Sequence, residues 1–190
     1  MNHHYEIIEI LRDVVSAVSA DCRIVFTHYP SGEIEEMNTP EISYIFGSGE
    51  YVKDELDVYS KAVDTSEAKL PLIALFLPIQ EDRTDSEFYT KASVRILIAC
   101  STAVEYSNEQ RLVYSFRNIL RPIYRRFLEV LSEDSRLFLG ADEHIPHNYS
   151  ENYDYGKYGA FAQSGEKVSE PIDAINITNL QLTIKNPTCR

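Results

Sequence analysis

The chain has no tryptophan, three cysteines, two methionines and seven glycines in 190 residues. Cations are scarce too: 18 Lys and Arg stand against 30 Asp and Glu, a formal net charge of −12. Each shortage excludes something. Cys22, Cys100 and Cys189 are an odd, scattered set, neither a disulfide framework nor a zinc spacing. Cys22 and Cys100 lie at or beside apolar runs and are expected as small core residues. The acidic balance argues against sequence-independent binding to nucleic acid, which relies on Lys and Arg neutralising phosphates. It argues equally against docking on an anionic membrane, though an acidic wall would let DNA slide past. No stretch approaches the roughly 18 apolar residues of a membrane span. The opening "MNHHYEIIEILRD" lacks the basic and apolar regions of a secretory leader. These absences predict a protein assembled in the cytosol, without membrane or specific nucleic-acid partners.

What is present is an ordinary globular composition, 44% hydrophobic and 25% charged, over a length that suits one domain spanning 1–190. Ile7, Leu11, Val14, Val15 and Val18 recur at helical spacing and predict a helix over 4–20. "RIVFTH" (Arg23 to His28) reads as a strand, "YPSGE" as a turn, and Ile42 to Phe46 as a second strand. Residues 53–69 are ambiguous between a short helix and a surface loop. Leu70 to Ile79 and Val94 to Ala99 read as two strands of a long hairpin. A helix over 107–132 follows, its apolar face formed by Leu112, Phe116, Ile119, Ile123, Phe127 and Val130. Pro122 sits inside it and predicts a kink near Asn118 to Pro122. Residues 133–170 are polar and lack periodicity, so they read as a long loop insertion. In Ile172 to Lys185 the apolar alternation shifts by one residue between Ile177 and Leu180. An extra residue at Thr178-Asn179 would keep both sets on one face, which predicts a β-bulge there. The fold class expected is α/β (α+β): a largely antiparallel sheet with helices packed on it.

Between the two hairpin strands the chain turns abruptly charged. Glu81, Asp82, Arg83, Asp85, Glu87 and Lys91 surround Phe88 and Tyr89, over more residues than a hairpin turn needs. This segment is expected to project as an arm and to contact a neighbouring chain. Arg117, Arg121 and Arg125, four residues apart, predict a basic stripe opposite the apolar face of the long helix. Arginine pairs carboxylates bidentately, so the stripe is expected to meet the acidic arm of a second copy. Such a contact joins two different patches and closes into rings. "HNYSENYDYGKYGAF" carries Tyr149, Tyr153, Tyr155 and Tyr158 among Gly, Ser and Asn, a composition suited to protein contact.

Catalytic signatures are weak. "DEHIPH" holds Asp142, Glu143, His144 and His147, which could ligate a metal, but Pro146 breaks any helix that would gather them. His3 and His4 form a weaker pair. "GSGEYVK" has two glycines and a lysine without phosphate-loop spacing, and is read as a turn. No G-x-S-x-G is present. The chain is expected to have no catalytic residue, metal or cofactor. Rival readings are an intracellular adaptor working through the Tyr-rich loop and a metal-dependent enzyme using the Asp142 to His147 cluster.

The paired runs "LPLIALFLPI" and "SVRILIACST", the following "NEQRLVYSFRNILRPIYRRFLEVL" and the closing "INITNLQLTI" give an order of long hairpin, long helix and final strand. That arrangement resembles the tail-terminator (tail-completion) and neck ring proteins of tailed bacteriophages. It covers most of residues 1–132 and 172–185, and the 133–170 insertion departs from the compact family pattern. The resemblance implies a structural virion protein forming a homo-oligomeric ring at the head–tail junction. Its partners would be further copies of itself and adjacent portal, neck or tail proteins, with DNA passing through an acidic lumen.

Overall fold

The computed structural model describes residues 5–37, 41–61, 70–84, 88–139, 144–153, 155 and 171–186. Helix α1 (Ile7–Asp21) forms where the helical spacing predicts it, and buries Ile7, Ile10, Leu11, Val14, Val15 and Val18 along one stripe. Each such side chain contributes about 1.5–3 kcal/mol on burial. Strand β1 (Ile24–Thr27) pairs antiparallel with β2 (Ile34–Met37), across the turn that "YPSGE" marks, as a separate two-stranded hairpin. Strand β3 (Ser43–Gly47) leads directly into helix α2 (Gly49–Lys61). The "GSGE" segment is therefore not a turn. The Tyr51 N–H donates to Ser48 Oγ at 3.2 Å, which caps the helix start. Gly47 is required there because a Cβ would lie 2.4 Å from the Tyr51 ring.

Strands β4 (Leu72–Asp82) and β5 (Tyr89–Ser101) form the long hairpin. The helix that follows is continuous but changes character. A four-residue α-helical start, α3 (Asn108–Arg111), carries a capping box between Ser107 and Gln110. A π-helical segment (Leu112–Leu120) comes next, then α4 (Arg121–Glu133) with Pro122 in its first turn. Where the sequence predicts a kink, the helix stays continuous and its hydrogen bonding widens. Proline has no N–H for the Asn118 carbonyl, and just before it the Arg121 N–H reaches back five residues to the Phe116 carbonyl. The wider turns shift the buried face. Phe116, Leu120, Ile123, Phe127 and Leu131 are buried, whereas Leu112, Ile119 and Val130 are only half-buried.

The main sheet has six strands. β3 runs parallel to β4, β4 antiparallel to β5, and β5 antiparallel to β8 (Ile172–Lys185). The far edge of β8 is shared by two short strands. β6 (Leu137–Phe138) pairs with Thr183 and Ile184, and β7 (Asn148–Asn152) pairs with Ala174 to Thr178. Both lie inside the stretch whose composition predicts only loop. Their pairing is supplied by β8, not by local periodicity. The class is α+β, and the sheet is largely antiparallel.

The predicted bulge is present. Val94 pairs with Leu180 and Ile96 with Ile177, so Thr178 and Asn179 stand opposite Arg95, and Asn179 adopts φ +52°. Ile175, Ile177, Leu180, Leu182 and Ile184 consequently share one buried face. The partner on the other side of β5 is irregular at the same level. Phe76 pairs with Arg95 and Gln80 with Ser93, leaving Leu77, Pro78 and Ile79 opposite Val94. Pro78 has no N–H to give the ladder.

One face of the sheet packs against α1, the π-helical segment and α4. The other carries a smaller core of Ile45, Val52, Leu56, Leu72, Ala74, Phe76, Leu97, Ala99, Tyr155, Ile172 and Ala174 beneath α2. No helix among the described residues is long and apolar enough to cross a membrane.

Candidate functional site

The second core stops part-way along the strands. From Leu97 to Cys100, β5 is buried on both faces, but from Tyr89 to Arg95 its residues alternate. Thr90, Ala92 and Val94 are buried toward the helices, while Tyr89, Lys91 and Arg95 are exposed and Ser93 half-buried on the other side. β8 changes likewise after Ile175. Among the described residues nothing covers this second face, which leaves an open sheet surface.

The surface is built in rows across the strands. Gln80, Ser93 and Gln181 are aligned, and Gln181 Nε2 donates to Ser93 Oγ at 3.0 Å. Asp82, Lys91 and Thr183 form the next row. The Thr84 hydroxyl and N–H both donate to Asp82 Oδ1, and these bonds, with Lys91 nearby, hold its carboxyl below the usual range. Tyr89 and Phe138 contact each other at 5.3 Å between ring centroids, and both are exposed, as is Phe88. A cavity of about 260 Å³ lies among Asp82, Tyr89, Lys91, Phe138 and Thr183. At the inner border Arg95 sits over the Phe76 ring at 5.7 Å. It lines a larger cavity of about 440 Å³ with Gly49, Ser150, Tyr155 and Asn176.

The charged segment at 80–91 is mostly strand. Gln80, Glu81 and Asp82 pair with Ser93, Ala92 and Lys91, and Tyr89 to Lys91 pair with Lys185 to Thr183 on the other side. The Asn186 N–H also donates to the Phe88 carbonyl at 2.8 Å. Where a projecting arm is expected, the described residues extend the sheet, and its ladder hydrogen bonds continue into the charged residues. Glu81 is held by Arg83. Asp85 and Glu87 lie outside the described residues.

The arginine stripe divides. Arg117 and Arg125 are exposed. Arg121 is committed within its own chain: Nε and Nη2 donate to the two Glu151 oxygens at 2.7 and 3.0 Å. Those bonds hold the Glu151 carboxyl below its usual range. The Tyr149 hydroxyl donates to Glu151 as well. Burial, reinforced by Glu151, pushes the Tyr149 phenol up. The Tyr-rich segment likewise serves its own fold. Tyr149 belongs to β7, Tyr153 packs on Phe116 at 4.5 Å, and Tyr155 is buried in the second core, its phenol pushed up to about 12 by desolvation. Interleaved Tyr, Ser and Asn thus mark an edge strand of the sheet and the turn after it. Tyr158 lies outside the described residues.

His147 is also engaged, with Nε2 2.7 Å from the Tyr124 hydroxyl and Nδ1 2.7 Å from the Ile145 carbonyl. Asp142, Glu143, His3, His4 and Cys189 lie outside the described residues. Among the described residues no group of three or more His, Cys, Asp or Glu could hold a metal.

Two features escape the sequence reading. One is a buried ion pair: Arg111 Nη1 lies 3.4 Å from Asp173 Oδ1, with both side chains almost fully enclosed. Asp173 pairs with Cys100 across the ladder. Burial, then Asp173, pushes the Cys100 thiol up, which disfavours its reactive thiolate. The only signal was an Asp between Ile172 and Ala174 in an apolar run. The other is the β1–β2 hairpin, whose second strand carries acidic Glu35 and Glu36 beside a largely exposed Ile34. No family model and no curated protein matches the chain. The open sheet face can stack, hydrogen-bond and pair charge with a protein surface.

Proposed function

We propose that this chain is a structural, non-catalytic subunit that assembles with copies of itself into a ring, stationed at the head–tail junction of a tailed-phage virion. The observation that supports self-assembly is the half-covered sheet. A surface carrying Tyr89, Phe138, Lys91 and Arg95 extends along strands that continue into the packed core. The aromatic and arginine side chains suit a protein interface. The order of long hairpin, long helix and closing strand supports the station, and the net charge of −12 suits a lumen that lets DNA pass. Adjacent portal, neck or tail proteins are the remaining partners, and no cofactor enters the reading. The adaptor reading draws less support from Tyr153 and Tyr155, which pack within their own chain.

The test has two arms. Sedimentation across a concentration series with negative-stain imaging is expected to give closed rings of one diameter; a monomer at every concentration contradicts self-assembly. Gold labelling of tailed particles with an antibody to the chain is expected at the head–tail junction. Particles that carry no label, or carry it elsewhere, contradict the station.

A further inference from the structure

The hairpin of β1 and β2 is held along one edge and by one face, where Ile24 enters the main core. Asn118 on the π-helical segment binds both backbone groups of Thr27: its Oδ1 accepts from the N–H at 3.1 Å and its Nδ2 donates to the carbonyl at 2.9 Å. Tyr114 does the same for Tyr29 through its hydroxyl, at 3.2 and 2.9 Å, and its ring stacks on Phe26 at 5.5 Å. The opposite face of the hairpin has no second layer among the described residues. Val25 pairs with Glu36 and Thr27 with Ile34, so Val25, Ile34 and Glu36 stand on that face together. Val25 is 48% exposed and Ile34 71%. A single exposed aliphatic side chain needs no explanation, but a two-stranded ribbon with one bare β-branched face is only marginally supported by itself.

We infer that this face docks on the open sheet surface of a second copy of the chain, Val25 and Ile34 against Tyr89, and Glu36 against Lys91 and Arg95. The inference rests on the ring reading and names its contact. Charge selects the occupant. Copies with a net charge of −12 repel one another, so they approach where the signs are opposite. On the docking face the acid is Glu36, and on the open surface the cations Lys91 and Arg95 outnumber Asp82. Geometry forbids the contact within one subunit. The hairpin is fastened to the helical layer, and the open surface lies on the other side of the sheet. Two different patches on opposite sides make a heterologous contact, which closes into a ring or continues as a filament. Size agrees as well. A four-residue ribbon is about 13 Å long, and β5 from Tyr89 to Arg95 offers about 23 Å. So small a footprint predicts a weak single contact that ring closure reinforces.

Thiol cross-linking suits a weak contact. One chain carries Ile34→Cys and a differently tagged chain carries Ser93→Cys. Both carry Cys189→Ser, which leaves only the buried Cys22 and Cys100 as native thiols. A short bis-maleimide is expected to give mainly the mixed dimer. Its yield should fall about ten-fold with Lys91→Glu and Arg95→Glu in the Ser93→Cys chain, and recover when the other chain carries Glu36→Lys. Circular dichroism confirms that each variant is folded. A dominant Ile34→Cys homodimer overturns the pairing in favour of a two-fold contact. Rings that form without a mixed dimer overturn the pairing and leave the ring reading standing. Absence of both mixed dimer and rings overturns the two together.

Discussion

Leu97 and Ser93 lie four residues apart on the same strand and point the same way, yet they occupy different worlds. Leu97 is sealed beneath α2 with Leu72, Ala99 and Ala174. Ser93 is half-buried and shares a hydrogen bond with Gln181 on a bare surface. The hydrogen-bonded ladder runs through both halves. What separates them is one level of the sheet, where β4 and β8 are both irregular around Val94 and Arg95. Bulges bend a strand and tighten its twist. A continuous sheet thereby serves as core at one end and as platform at the other, with the change concentrated at two irregularities.

The comparison breaks most severely at the β8 bulge. Deleting Asn179 would shift the register by one and turn Leu180, Leu182 and Ile184 onto the bare face. Burial of three such side chains, at about 1.5–3 kcal/mol each, rivals the whole stability of a typical domain. The expected outcome is loss of the cooperative thermal transition, and an ordinary melt would show that the bulge does not hold the register. Next in size, Leu97→Ala should cost about 2–5 kcal/mol. Arg95→Ala, two residues before it on the same face, should cost less than about 1 kcal/mol. Chemical denaturation of the two variants measures the contrast directly, and equal losses would erase the distinction between halves.

A smaller effect is pH-dependent. Arg121 holds the Glu151 carboxyl low in the folded protein. The stabilisation is therefore in place above the ordinary Glu value of about 4.3 and is lost as pH falls through the lowered folded value. Glu151→Gln should be less stable than the parent by about 1 kcal/mol at neutral pH, a modest figure because the pair is partly exposed. The gap should close on acidification. If it persists in acid, packing and not charge accounts for it. The smallest expected effect is that of Asn179→Gly. Relief of the left-handed backbone at φ +52° is offset by the greater freedom of glycine in the unfolded chain, for a net change within about 0.5 kcal/mol.

Much of the fold was readable because it follows local periodicity. α1, the strands around Phe26 and Ile45, the long hairpin and the β8 bulge are all carried by apolar spacing. α2 was ambiguous because, among the described residues, Val52 and Leu56 alone bury from it. β6 and β7 were invisible because a two-residue and a five-residue strand have no pattern without their partner β8. The π-helical segment has no period of its own in a sequence read at 3.6 residues per turn, although Pro122 marked its end. For the surface, charge and aromatics drew attention to Asp82, Phe88 and Tyr89. The partner of Arg121 and the inward aim of Tyr153 and Tyr155 depend on contacts distant in sequence.

Asn118 closes an edge that strands normally close. Its side-chain amide imitates a neighbouring peptide group and occupies the outward N–H and C=O of Thr27. Tyr114 covers Tyr29 on the same edge, but only the Asn118 amide covers Thr27 among the described residues, so one substitution can open it there. Removing that amide would present unpaired β-template on a chain still able to fold, which is how a folded chain becomes a seed for disordered strand-to-strand aggregation.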